Sequence, residues 1–372
     1  MERMINQEFN SLPQRSIYYF LATYAPFHPI ASPFAEEAEQ RSAYDFILSI
    51  YQRLYEDPGL MGFRLLPDDS LNDWQFQKDK PKLVPELRKV IRKLEEFIEL
   101  LWIISCDGQA DNNCLIIDCN RKTLKPSDKK QLERFEILTE CTESVCRLQF
   151  PCSVKGLQLL ARISLQNARP AWQERQKPYL LFSRGVFDPS SSWSTEIFSD
   201  MLEQREPFHR LIAYLEEKQF RRIDNKECNH QVSLDYIKCY GKADDELKWA
   251  WGERTHSGLE VIYEETRKNQ PLITLRIPYY KELLERANEM SPSLKNFILL
   301  YNKKCDNCRY CVQTDKTGKR PLAFFVVENR PLCPLYPGFM YRWKSLDDSI
   351  VNGIIEMLEF IDHSFKERYV AS

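Results

Sequence analysis

Between residues 85 and 104 apolar side chains recur every three or four positions. Leu87, Val90, Ile91, Leu94, Phe97, Ile98 and Leu101 form one stripe, with Arg88, Lys89, Arg92, Lys93, Glu95, Glu96 and Glu99 outside it. That 3.6-residue period predicts an amphipathic helix with one face in a core. A second strong stripe, Leu346, Ile350, Val351, Ile354, Ile355, Leu358 and Ile361, predicts a final helix opening at Ser345, with Asp348 three residues on as in a capping box. Ser32-Pro33, followed by Glu36 and Glu37, reads as an N-cap with proline in the first turn of a helix reaching about Tyr55, where Pro58-Gly59 stops it. Weaker helical patterns cover 127–140, 153–165, 194–204, 207–220, 278–290 and 292–302. Residues 1–31 read as an irregular arm with apolar anchors, and 64–82 as a polar connector.

The period changes in the second half. Val232–Tyr240, Leu259–Glu264 and Leu272–Ile277 are rich in β-branched and aromatic residues and read as strands, as does Leu322–Glu328; Cys114–Asp118 is a short candidate further upstream. Pro170, Pro178 and Pro189 with Ser190–Ser192 break the chain near 190. The fold class expected is therefore α+β. It has a mostly helical domain over 1–190 and an α+β domain over 191–372 with a small antiparallel sheet.

Composition narrows the chemistry. The 372 residues carry 52 Lys+Arg against 54 Asp+Glu, and the balance holds in both halves, so a whole-protein basic footprint for nucleic acid is absent. Only 11 residues are glycine, and neither G-x-G-x-x-G nor G-x4-G-K-[ST] occurs, which argues against Rossmann and P-loop nucleotide sites. G-x-S-x-G and H-E-x-x-H are missing too. The longest apolar runs, Leu100–Ile104 and Phe297–Tyr301, are far short of a membrane span, and the first residues show no apolar signal segment. The expectation is a cytoplasmic protein with no membrane role, whose 12 cysteines are thiols or metal ligands rather than disulfides.

Four of those cysteines carry the clearest chemical signal. Cys305, Cys308 and Cys311 are each separated by two residues, and Cys333 follows after another 21. C-x2-C spacing lets a tight turn aim two sulfurs at one ion, and four thiolates close a tetrahedral zinc site. The same run followed by Cys333-Pro334 is also compatible with a single [4Fe–4S] cluster. Zinc is the favoured ion; the iron–sulfur cluster, in electron transfer or redox sensing, is the alternative. Four buried thiols fit poorly, because Lys303, Lys304, Asp306, Asn307 and Arg309 surround the cysteines. The other eight cysteines lack such spacing and read as buried thiols.

The stretch Cys305-Asp-Asn-Cys308-Arg-Tyr-Cys311 through Pro321, then Leu332-Cys333-Pro-Leu-Tyr-Pro-Gly-Phe339 and Ser345-Leu-Asp-Asp348, resembles the C-terminal signature of a family of uncharacterised bacterial proteins. It covers about the last 70 residues. The resemblance implies a recurring four-cysteine module at 303–340 and carries no activity or catalytic residue with it.

Two other constellations stand out. Residues 302–330 hold seven basic side chains against three acidic ones. They read as a solvated rim of the metal module, with a nucleic-acid contact possible but not favoured. Trp249, Trp251, Glu253, Arg254, His256 and Glu260 lie between two predicted strands. They read either as a polar hairpin connection pinned by tryptophan or as a cleft for a small ligand, with acid–base work by Glu253 and His256 as the enzyme alternative. His363 suits the negative end of the last helix, and His28 is a loop residue with no partner visible in the sequence. The sequence thus favours a binding or regulatory protein that meets a small molecule or a protein partner, with a structural zinc at Cys305, Cys308, Cys311 and Cys333.

Overall fold

Helix formation begins within the stretch expected to be an arm. In the computed structural model, which describes residues 11–63, 80–119, 124–168, 177–224, 231–240, 256–264, 271–302, 325–332 and 340–368, helix α1 spans Leu12–Ala22. Ser11 caps it and Pro13 sits in its first turn. The main division of the chain into two compact units falls after Ile197.

The first unit gathers α1, α2 (Glu37–Glu56), α3 (Lys80–Asp107) and α5 (Val154–Gln166). The expected Ser32 cap is replaced by Glu36, which forms a capping box with Glu39, while the Ser32 hydroxyl accepts from Phe34 N in the preceding turn. Gly156 lets α5 lie directly on α2, since a Cβ there would come within 2.1 Å of the Glu39 carbonyl oxygen. The interior is unusually rich in tyrosine. Tyr24 donates to the Tyr44 carbonyl, Tyr44 to that of Ala25 and Tyr51 to that of Ser183. Burial pushes the Tyr24 and Tyr51 hydroxyls well above the ordinary tyrosine range. Arg184, on the short α6 (Leu180–Arg184), is fully buried, stacks over Tyr19 and Phe20 at 4.8 and 4.9 Å, and donates to the Thr23 hydroxyl.

The helical expectation for 127–140 is corrected here. Helix α4 runs only over Pro126–Arg134, because Glu136 turns into the left-handed region at φ 64°. The chain then enters β3 (Leu138–Cys141) and β4 (Val145–Gln149). With β1 (Gln109–Asp111) and β2 (Cys114–Asp118) they form a four-stranded antiparallel sheet in the order β1-β2-β4-β3. The first half is therefore itself mixed helix and sheet. A further correction follows: Cys141 and Cys146, directly opposite in the β3–β4 register, form a disulfide with Cα atoms 4.0 Å apart. The expectation of thiols alone came from a compartment argument, which does not see a close cross-strand pair.

The second unit is built on a five-stranded antiparallel sheet in the order β11-β8-β7-β6-β5. Its strands are β5 (Arg221–Asp224), β6 (Gln231–Cys239), β7 (His256–Glu264), β8 (Leu272–Arg276) and β11 (Met340–Trp343). One face carries Leu234, Tyr236, Leu259, Val261, Ile273, Leu275, Tyr341 and Trp343, all buried. Helices α8 (Arg205–Glu217) and α11 (Asp348–Phe365) cover it, tied by hydrogen bonds from Tyr236 to Glu216 and from Lys238 to Asp362. Asp347, not Ser345, caps α11 through its side chain on Ile350 N. Helix α7 (Trp193–Asp200) precedes α8; α9 (Tyr280–Glu285) and α10 (Pro292–Tyr301) follow β8. The hairpin β9 (Phe325–Val327) and β10 (Arg330–Leu332) completes the described elements.

Candidate functional site

Strand alternation puts a charged row on the other face of the five-stranded sheet. In β6, Tyr236 and Lys238 reach the helices, so Ser233 and Asp235 point the opposite way. In β8, Leu275 pairs with Leu259 in the core, so Thr274 and Arg276 share the polar face with Glu260 of β7. These groups are not surface residues. Asp235 is 1% exposed, Ser233 2%, Thr274 1% and Glu260 8%. Arg276 lies directly opposite Gly258, and its guanidinium reaches diagonally to the Glu260 carboxylate. Gly258 admits no side chain: a Cβ would stand 1.9 Å from the Tyr236 carbonyl oxygen. The strands therefore place two carboxylates, one guanidinium and two hydroxyls on one largely buried face. Buried charge of this kind is costly unless paired or used, which makes the face a candidate site.

A second polar cluster sits on the helical side, at the end of β6. Asp362 of α11 accepts from Lys238 at 2.7 Å and from the Tyr240 hydroxyl. Ser257, next to His256, donates to the same Tyr240 oxygen at 3.4 Å. Tyr279 donates to the Tyr240 carbonyl at 2.7 Å. Burial, and then the hydrogen bond to Asp362, push the Tyr240 hydroxyl far above its ordinary range, so it stays protonated and acts as a donor. These contacts fasten the β6 and β7 ends that flank residues 241–255.

The sequence-predicted site residues fall unevenly against this frame. Cys305, Cys308, Cys311 and Cys333 lie outside the described residues, as do Trp249, Trp251 and Glu253. His256 opens β7, and its side chain is likewise outside them. Glu260 lies inside β7, within the expected strand Leu259–Glu264, as the partner of Arg276. Among the described residues no group of three or more His, Cys, Asp or Glu side chains is arranged to hold a metal. Asp235 and Arg276 were missed as candidates because they occupy positions that a half-buried strand normally gives to solvent. His28 has a partner the sequence could not reveal: its Nε2 lies 3.1 Å from Glu196, 168 residues away.

The described residues on either side of 303–324 are well anchored. Helix α10 ends at Tyr301, and the next residue, Asn302, is buried with its amide on the Tyr280 and Tyr341 hydroxyls. Hairpin β9–β10 ties back to α10 through Arg330, which donates to the Leu299 carbonyl at 2.7 Å, and through Lys295, 3.2 Å from Glu328. Asn302, which follows α10, and the hairpin that carries Leu332 are thus both fastened among the described residues. Two of the described thiols are quiet. Burial pushes Cys106 up to about 11 and Cys152 higher still, leaving neither as a thiolate at neutral pH. No helix among the described residues is long and apolar enough to cross a membrane. No family model, curated protein or solved structure matches the chain.

Proposed function

We propose that the protein is a cytoplasmic binding or regulatory protein whose α+β unit is stapled by a structural zinc at Cys305, Cys308, Cys311 and Cys333. The observation that carries this reading is the clamp of hairpin β9–β10 on α10. It holds the hairpin that ends at Leu332 against the helix that ends at Tyr301, which supports a reading in which Cys333 joins Cys305, Cys308 and Cys311 on one ion. With every ligand a thiolate, no position is left for water, so the ion stabilises rather than hydrolyses. The recognition surface in this reading is the charged face of the five-stranded sheet. Asp235, Glu260, Arg276, Thr274 and Ser233 supply directional donors and acceptors there, and the β6–β7 connection supplies Trp249 and Trp251. The partner class that fits is a small polar molecule carrying both a cationic and an anionic group. The test is twofold. Cys308→Ser should abolish bound metal and lower the melting temperature of the protein, because metal-binding energy is folding energy. A thermal-shift screen of zwitterionic ligands should give a stabilising hit that is lost on Trp251→Ala. Unchanged metal content and melting in Cys308→Ser would sink the metal reading. Loss of every hit on Cys308→Ser alone, with none lost on Trp251→Ala, would sink the placement of the ligand.

A further inference from the structure

The first unit contains a sulfur arrangement independent of that module. In the sheet order β1-β2-β4-β3, strand β4 lies between β2 and β3. Ile117 of β2 pairs with Cys146 of β4, which pairs in turn with Cys141 of β3. Cys119 continues the ladder one step beyond β2, donating its N–H to the Ser144 carbonyl at 2.8 Å. Alternation therefore sets Cys119, Cys146 and Cys141 on one face at one end of the sheet, in that order across three strands. The Cys119 sulfur sits 4.0 Å from the carbonyl oxygen of Thr142, the residue after Cys141. Cys146 is buried, whereas Cys119 and Cys141 are half-exposed. Cys119 keeps its thiol while the other two are bridged.

We propose that Cys119, Cys146 and Cys141 form a thiol–disulfide exchange site, with Cys146 as the shared central sulfur. The Cys119 thiol loses its proton to solvent, and its thiolate attacks the sulfur of Cys146. The Cys119–Cys146 bond forms as the Cys146–Cys141 bond breaks. Cys141 leaves as a thiolate, takes up a proton from water, and does so at a half-exposed position where the departing charge is solvated. One disulfide and one thiol are present before and after, so no outside oxidant is needed. The strand order supports this direction, because a central sulfur flanked on both sides permits in-line displacement. Diagonal neighbours in a sheet are roughly 7–8 Å apart at Cα, slightly beyond disulfide reach, so closing the new bond draws in the end of β2. The exchange consequently moves the covalent tie from the β3–β4 hairpin to the β2–β4 pair and frees the edge strand β3. An external dithiol can reduce either bridge, being oxidised to its own disulfide as two protein thiols are released.

The test reads peptides from the full-length protein. Trypsin leaves Cys141 and Cys146 together in Phe135–Arg147 and Cys119 in Leu94–Arg121 with Cys106 and Cys114, so the exchanged bridge appears as a cross-linked pair whose fragmentation assigns the sulfur to Cys119. The protein is reduced, reoxidised with a glutathione redox buffer, acid-quenched and alkylated. In Cys141→Ser the Cys119–Cys146 cross-link is expected in at least about half of the chains, since an intramolecular thiol outcompetes glutathione. In Cys146→Ser, which removes the central sulfur, fewer than about a tenth should carry a Cys119–Cys141 link. Glutathione adducts on both Cys119 and Cys146 in Cys141→Ser, with no cross-link, would overturn the proposal. So would zinc that shields all three thiols from alkylation in the reduced protein. If the variants fail to fold, the native chain decides. Native protein held at mildly alkaline pH with a trace of free thiol and then acid-quenched should contain the cross-linked pair, and its complete absence refutes the exchange.

Discussion

Arg276→Met tests the charged sheet face most sharply. The substitution keeps the length of the side chain and removes the guanidinium, leaving the Glu260 carboxylate on a strand interior without the cation it touches. Breaking a buried pair on one side costs about 3–5 kcal/mol, because a charge is left desolvated and uncompensated. Here the two side chains keep 14% and 11% of their exposure, so water offsets part of that and the expected loss is about 2–4 kcal/mol. Glu260→Gln removes the charge that Arg276 donates to and should cost about 1–3 kcal/mol. The double variant removes both charges, so it should be less destabilised than the sum of the singles by about 1–3 kcal/mol. Urea unfolding followed by tryptophan fluorescence, with the slope checked for constancy, gives all four corners of the cycle. If each single change costs under about 0.5 kcal/mol, the pair is solvent-screened and the face is not the largely buried one described above. Strict additivity would mean that Glu260 and Arg276 do not act as a pair.

Gly156→Ala should destabilise the first unit by about 1–3 kcal/mol, seen as a drop of several degrees in melting temperature, because the new methyl group meets helix backbone rather than a side chain that can move; an unchanged melt contradicts the close α2–α5 approach. Asn302→Leu strips a buried partner from the Tyr280 and Tyr341 hydroxyls and should cost about 2–3 kcal/mol in urea unfolding, while Asn302→Leu without measurable loss would show the network to be idle. Arg286 holds the Glu289 carboxylate below its ordinary value of 4.5 through a hydrogen bond. A carboxylate lowered on folding contributes stability that is present above that ordinary value and is lost as pH falls through the lowered one. The stability gap between wild type and Glu289→Gln should therefore close on acidification, and a gap constant with pH would count against the ion pair.

What could be read from the sequence is what periodicity encodes. The stripe of α3 and the apolar face of α11 each fix their element, because burial of one face is their dominant energy, and the β-branched and aromatic runs mark β6 to β8 as strands. Short edge elements escape that logic. Leu138, 56% exposed at the start of β3, and its polar neighbours Thr139 and Glu140 resemble a helix surface as closely as a strand. The stop of α4 depends on Glu136 in a left-handed conformation that no glycine announces. Helix α1 was hidden because Ile17, Tyr19 and Phe20 are buried on several sides, which blurs any single stripe. Long-range pairs are invisible for a different reason. Nothing in composition links His28 to Glu196, or Cys119 to a hairpin more than twenty residues on. Asp235, Glu260 and Arg276 sit at positions that alternation assigns to solvent, and only the sheet shows that these charges are enclosed.

The measurement that tests the central claim most directly is metal content together with an absorption spectrum, on full-length protein purified without oxygen. The account predicts about one zinc per chain and no visible band, as a closed four-thiolate site requires. Iron with acid-labile sulfide and a brown chromophore would contradict it and make the cysteine module a redox centre. Colourless protein without metal would contradict it as well, and would leave Cys305, Cys308, Cys311 and Cys333 without the role assigned to them.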